Sequence, residues 1–402
     1  MKTKKIGVPI MLLAAVLAVF TYLHALSKAA WENNFYDFAY YWKNASLLRD
    51  GCNVWEHKVE NTLVTEKVIA GSAVRIRVIP PWHSTGFFAV ILPFTYLSFK
   101  IASWFWLLAG HIAFMLSIWF LLRLIKKPAD TEDFCSVLFL VFSFWPLREQ
   151  LYLMQPNLLI LFLITGAFYL IKRQIFWSGV LLGLAVNFRE YLGFLCLIFI
   201  LKRLWKGMSG AALGFLSLKA AGVILFGWEK ELSYLRFIRD SFVGQINLSI
   251  DNHSLTAFLC RVGVNIPGKT SCLWLGIFLT GFLTAIAMYA AGRKSSDPRL
   301  GLALFSVLIL SISPWVHECH YIILYPAIII SWIHIRKIGD VRLYWVFIVA
   351  YLLLGLRYSL NSFPQFYRGW PHIFMGGKLC GAVLLFCLVF NLTINTFDYE
   401  KN

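Results

Sequence analysis

An acid, two imidazoles and a pair of amides stand at the borders of apolar runs in this chain, where they could move a proton or hold a polar substrate. Asp37 lies in Phe35-Tyr36-Asp37-Phe38, at the start of an aromatic segment. Two roles are open to it. It could accept from free backbone N–H groups at a helix start, or act as a general base that takes a proton from an attacking hydroxyl. Glu32 and Asp50 are the alternative acids of the same stretch. His317, Glu318 and His320 crowd into His317-Glu318-Cys319-His320. Three ligands from one short loop with no fourth elsewhere make a poor metal cage, so no metal is expected. Gln155 and Asn157 could hydrogen-bond hydroxyls of a substrate or simply open a helix. Neither G-x-x-x-x-G-K-[ST] nor a strand-borne G-x-G-x-x-G occurs, which argues against direct use of ATP or a nucleotide sugar.

The elements that must carry these residues are membrane helices. The 402 residues are 59% hydrophobic and 14% charged, against about a quarter charged in a soluble domain. The net charge of +17 could suggest nucleic acid, but the basic residues fall in short clusters between apolar runs. That pattern is a topology signal rather than a binding face. Eight scattered cysteines without a CxxC pair indicate neither a zinc site nor a dense disulfide framework. Candidate spans are residues 6–26, 101–122, 134–147, 156–171, 175–187, 191–201, 209–227, 271–291, 300–313, 321–335, 343–357 and 374–394. Lys172/Arg173, Lys202/Arg203/Lys206, Arg293/Lys294/Arg299 and Arg336/Lys337/Arg342 fall at alternate connections, which puts those connections and both termini in the cytoplasm. The stretch 84–98 is too short for a crossing and contains Pro93; it reads as a half-crossing buried against other helices. Residues 35–49 set Phe35, Phe38, Trp42, Ala45 and Leu48 on one stripe, an amphipathic helix expected at the outer membrane interface.

The ordered set Asp37 with Tyr40 and Tyr41, Pro80-Pro81-Trp82, Gln155 with Asn157, Gly179 with Gly183, Asn252 with Ser254, Leu255 and Arg261, and Ser313-Pro314 with His317 and His320 resembles glycosyltransferase family 87. Those enzymes belong to the GT-C superfamily and include polyprenyl-phosphate-mannose-dependent mannosyltransferases. The resemblance implies a lipid-linked sugar donor, no cofactor, and an aspartate of the first extracytoplasmic loop as catalytic base; by position that is Asp37. Of the family's His-His pair only His320 matches directly. Where the family has Lys-Pro after a Gly-rich helix, this chain has Asn187-Phe188-Arg189-Glu190. A departing polyprenyl phosphate needs cations at headgroup depth. Arg189, Arg261, Arg75 and Arg77 are the candidates, Arg189 having an ion pair with Glu190 as its alternative role. Asn252, His253 and Glu318 complete the candidate substrate-binding set.

The expectation is an all-α polytopic bundle of GT-C type with about twelve spans, one integral membrane domain over 1–402, and outward loops at 27–83 and 228–270. It would sit in the cell membrane with its site on the extracytoplasmic face. Its partners would be a polyprenyl-phosphate sugar, a glycolipid or glycan acceptor and membrane lipids. The alternative is a transporter or flippase, which would favour internal repeats with matching broken helices; no repeat is evident between the halves.

Overall fold

A computed structural model describes residues 7–32, 36–56, 60–65, 74–78, 81–124, 131–244, 248–249, 251–263, 269–313, 315–357 and 364–399. Helices build the molecule. Those of the first half are α1 (Gly7–Glu32), α2 (Tyr36–Arg49), α3 (Thr85–Ile91), α4 (Phe99–Arg123), α5 (Thr131–Phe142), α6 (Trp145–Leu153), α7 (Asn157–Leu170) and α8 (Ile175–Phe188). The second half holds α9 (Leu197–Leu201), α10 (Trp205–Phe226), α11 (Trp228–Gly244), α12 (Leu255–Val262), α13 (Lys269–Gly292), α14 (Pro298–Ile312), α15 (Tyr325–Ile338), α16 (Val341–Gly355) and α17 (Gly377–Tyr399).

Each of the twelve apolar segments is helical. Among the described residues six helices are long and apolar enough to cross a membrane, and the pair α5 and α6, bent by 50°, would make a seventh. The protein is membrane-embedded. The shorter helices explain the difference from twelve: α7 and α8 have 14 residues each, about 21 Å at 1.5 Å per residue, against roughly 30 Å of hydrocarbon. The α5–α6 break corrects the sequence boundary, because Pro146 sits in the first turn of α6 and the chain stays helical to Leu153 instead of ending a span at 147.

The 27–83 loop holds more than helix. β1 (Glu60–Thr65) and β2 (Val74–Val78) pair antiparallel, with Leu63 opposite Arg75 and Asn61 opposite Arg77. Arg75 and Arg77 therefore share one face of the ribbon; their side chains, like Phe35, Pro80 and Pro314, lie outside the described residues. The 84–98 stretch consists of α3 followed by a 3₁₀ turn over Leu92–Tyr96. Its burial rests on glycine: a Cβ on Gly222 of α10 would overlap the Thr85 backbone.

The tightest helix pair is α8 with α10. A Cβ on Gly179 or Gly183 would overlap the Gly207 or Ala211 carbonyl oxygen, and one on Gly210 or Gly214 would overlap the Phe176 or Val180 oxygen. Small residues four apart on both helices thus let the backbones touch, the packing that replaces the hydrophobic effect inside a membrane. Asn187 adds bonds from its amide to the Gly183 and Phe215 oxygens, at 3.2 and 3.1 Å. The last turn of α8, and Arg189 just beyond it, is fixed by this pair.

The basic connections meet at one end of the bundle. Lys172 pairs with Asp297 at 2.6 Å, Lys202 donates to Ser296 Oγ at 2.7 Å, and Arg336 pairs with Glu132 at 3.2 Å. The turns at 154–156, 189, 252–254 and 315–320 gather elsewhere.

Candidate active site

The site grows from a helix break. α6 ends with Met154 in the left-handed region at φ 55°, and α7 starts at Asn157 behind Pro156. Trp106 Nε1 donates to the Met154 oxygen at 3.0 Å and Gln150 Nε2 to the Gln155 oxygen at 2.5 Å. The backbone of this turn is thereby held, and the Gln155 side chain projects from it as a fixed amide.

Gln155 is the hub. Its Nε2 donates to Asp37 Oδ2 at 2.5 Å. Its Oε1 accepts from the Arg189 guanidinium at 2.8 Å, and Asn157 Nδ2 and His320 Nε2 each lie 3.1 Å from it. The amide can face only this way, because an ionised carboxylate accepts and a guanidinium donates. Asn157 in turn donates to Gln150 Oε1 at 2.9 Å. The backbone N–H of His317 donates to His320 Nδ1 at 3.3 Å, and His320 Nε2 lies 3.1 Å from both Gln155 Oε1 and Arg189 Nη2.

Asp37 reaches this hub because the opposite side of α2 is anchored. Phe38 stacks on Trp106 with centroids 5.2 Å apart, Trp42 Nε1 donates to the Phe94 oxygen at 3.0 Å, and Arg49 donates to the Thr95 oxygen at 2.6 Å. Phe38, Ala45 and Leu48 are buried; the aromatic stripe of α2 packs on protein, against α4 and the turn over Leu92–Tyr96. Burial raises the Asp37 carboxyl above its usual range, while the Gln155 bond and the Arg189 charge act in the opposite direction. Among the described residues its Oδ1 carries no hydrogen bond.

Asn252, His253 and Arg261 form a second cluster. Arg261, buried at the end of α12, donates to His372 Nε2 at 2.9 Å, the Ser249 oxygen at 2.6 Å and the Asn252 oxygen at 2.7 Å. Its guanidinium fastens the loop before α12 to the segment before α17. Asn252 Oδ1 accepts from Val316 N at 3.1 Å, and His253 N donates to the Val316 oxygen at 2.8 Å, which clips this loop beside His317. Glu318 turns to Lys378 at 3.6 Å and His253 at 4.0 Å rather than to its neighbours His317 and His320. Burial, with the Lys378 and Arg261 charges, pushes His253 down to about 3. Burial pushes His317 down to about 4. Both rings are neutral at neutral pH. Among the described residues no three His, Cys, Asp or Glu side chains gather as a metal site would require.

The sequence profile of Glycosyltransferase family 87 matches residues 83–314, more than half of the 402. The chain belongs to glycosyltransferase family 87. This membrane-embedded glycosyltransferase matches no curated protein and no solved structure. Gln155, Asn157, Arg189, Asn252, His253 and Arg261 lie inside the matched stretch; Asp37 lies before it, and His317, Glu318 and His320 after it.

Of the residues singled out from sequence, the structure joins Asp37, Gln155, Asn157, Arg189 and His320 in one network. It sets Asn252, His253, Arg261 and Glu318 in the adjoining cluster, with His317 between them. Of the alternative acids, Asp50 pairs with Arg49 at 3.0 Å, away from Gln155, and the Glu32 side chain lies outside the described residues. Sequence reasoning missed Gln150, Lys378 and His83. His83 directly follows the Pro80-Pro81-Trp82 motif, and that adjacency was the available signal.

Proposed function

We propose that this glycosyltransferase moves a hexose, with mannose the first candidate, or a pentose from a polyprenyl-phosphate donor to a hydroxyl of a glycolipid or glycan, with inversion, at the extracytoplasmic face of a cell membrane. The observation that carries the reading is one amide, Gln155, holding an acid at 2.5 Å on one side and an arginine at 2.8 Å on the other. Inverting transfer needs those two functions in one place, a base for the incoming hydroxyl and a cation for the outgoing phosphate.

In this reading the acceptor oxygen attacks the anomeric carbon as the carbon–oxygen bond to the phosphate breaks. Asp37 takes the hydroxyl proton, and the polyprenyl phosphate leaves with the bonding pair and its negative charge beside Arg189. Burial serves the base: a carboxylate stripped of water binds the proton more strongly than an exposed one. His320, held through Nδ1 by the His317 backbone, sets its Nε2 against both Gln155 and Arg189.

The test is incubation of the purified protein with radiolabelled polyprenyl-phosphate sugars and membrane glycolipids. A labelled glycolipid from at least one lipid-linked donor, with none from nucleotide sugars, is the expected result. Transfer from a nucleotide sugar alone would contradict the reading.

A further inference from the structure

His83 is a buried ring, 4% exposed, and among the described residues neither its Nδ1 nor its Nε2 has a hydrogen-bond partner. Buried polar groups are almost always paired, and leaving one unpaired costs free energy, so an orphaned imidazole marks a place where a partner arrives. The ring is wedged between aromatics: Tyr41 meets it edge-on with centroids 4.9 Å apart, and Phe87 lies at 4.3 Å. Tyr41 stands one helical turn after Asp37 on α2. Phe87 touches Phe188, the residue before Arg189, at 5.8 Å. His83 is therefore reached from both arms of the acid–arginine network without belonging to it.

The chemistry of the ring limits its partner. Burial, reinforced by the Arg189 charge, holds the imidazole neutral, so it offers one donor and one acceptor. A phosphate only accepts and would leave one nitrogen unpaired. A hydroxyl donates and accepts, and two neighbouring hydroxyls satisfy both nitrogens.

We infer that His83, walled by Tyr41 and Phe87, forms a subsite that hydrogen-bonds hydroxyls of the transferred sugar and so selects the donor. This rests on the proposed lipid-linked sugar transfer and adds a specificity-determining residue to it.

His83→Phe keeps an aromatic ring, somewhat larger than the imidazole, between Tyr41 and Phe87 while removing both nitrogens. The experiment compares wild type, His83→Phe and His83→Gln on polyprenyl-phosphate mannose and its single-deoxy analogues, together with the thermal midpoint of each protein. Wild type is expected to discriminate against one or two deoxy donors. His83→Phe should raise KM for the full donor by roughly 10- to 100-fold and lose that discrimination, and its midpoint should stay near that of wild type, the removal of two unpaired polar atoms offsetting the larger ring. His83→Gln, which again offers one donor and one acceptor, should recover part of the affinity. Unchanged KM and discrimination in a folded His83→Phe protein would overturn the inference, as would a lower midpoint with selectivity intact, which would make the imidazole structural. Absence of transfer by wild type from every lipid-linked donor would instead refute the reaction on which the subsite depends.

Discussion

At the scale of single residues, the proposed chemistry rests on one carboxyl, Asp37, whose proton affinity is set by opposing influences. Burial raises it, and Arg189, acting from the other side of Gln155, lowers it. A general base must be ionised, so in the proposed mechanism kcat/KM should fall toward low pH through an apparent pKa above the ordinary carboxylate range. Arg189→Gln removes the lowering influence and should move that acid limb to higher pH, besides slowing transfer. A pH–rate profile of the two proteins checks the direction, and a limb that moves down would be inconsistent with the pairing. Asp37, Gln155, Asn157, Arg189 and His320 could all be named from sequence because each is a polar group where polar groups are costly, at the edge of an apolar run. Their mutual contacts could not. Gln155 and Asp37 are 118 residues apart, and only the fold brings an amide between an acid and a base. Arg261 shows the converse: a buried arginine behind Asn252-His253-Ser254 looked suited to phosphate, yet three of its donors are used on Ser249, Asn252 and His372.

At the scale of elements, two devices hold the network, and each can be broken separately. The first is the α8–α10 contact. Gly183→Val places methyl groups where the Ala211 carbonyl lies, and separation of the helices should cost at least about 2 kcal/mol and displace Arg189. Gly193→Ala is the control, since its Cβ would meet Val186 at an ordinary 4.0 Å and should change stability by less than about 1 kcal/mol. Thermal denaturation in detergent with a transfer assay separates the two. The second device is the clip between the 252–254 loop and Val316, which keeps His253 and His317 neutral. An unfolded histidine takes up a proton near pH 6.5, whereas these two do so only at about 3 and about 4 in the fold. The unfolded state thus gains protons first as pH falls, and the folded state should lose stability from about pH 6.5 downward. Asp37 works against this, because its raised carboxyl favours the fold at low pH. A thermal midpoint lower at pH 5 than at pH 7 is expected.

Element types were largely legible, because each apolar run became helix. The lapses have physical causes. Val74-Arg75-Ile76-Arg77-Val78 alternates strictly, the signature of a strand, but a reading by span length passes over five residues. The α5–α6 bend was concealed because hydropathy continues across Pro146 while backbone hydrogen bonding does not.

At the scale of the molecule, the distribution of charge orders everything else. Lys172, Lys202, Arg293 and Arg336 lie at connections that touch one another, and the catalytic candidates occupy the alternate ones. That partition predicts opposite sides for Ser295 and Asp251, both exposed. With the native cysteines replaced, Ser295→Cys and Asp251→Cys should react with a membrane-impermeant thiol reagent from opposite faces of sealed vesicles. Labelling from the same face would contradict the alternation.

The most direct measurement is transfer by Asp37→Asn protein from a polyprenyl-phosphate sugar. The change preserves the size of the side chain and a hydrogen bond to Gln155, and it removes the group that can hold the proton. The account predicts a rate lowered by roughly 100- to 10,000-fold in a protein that folds and inserts normally. Transfer at the wild-type rate would contradict it.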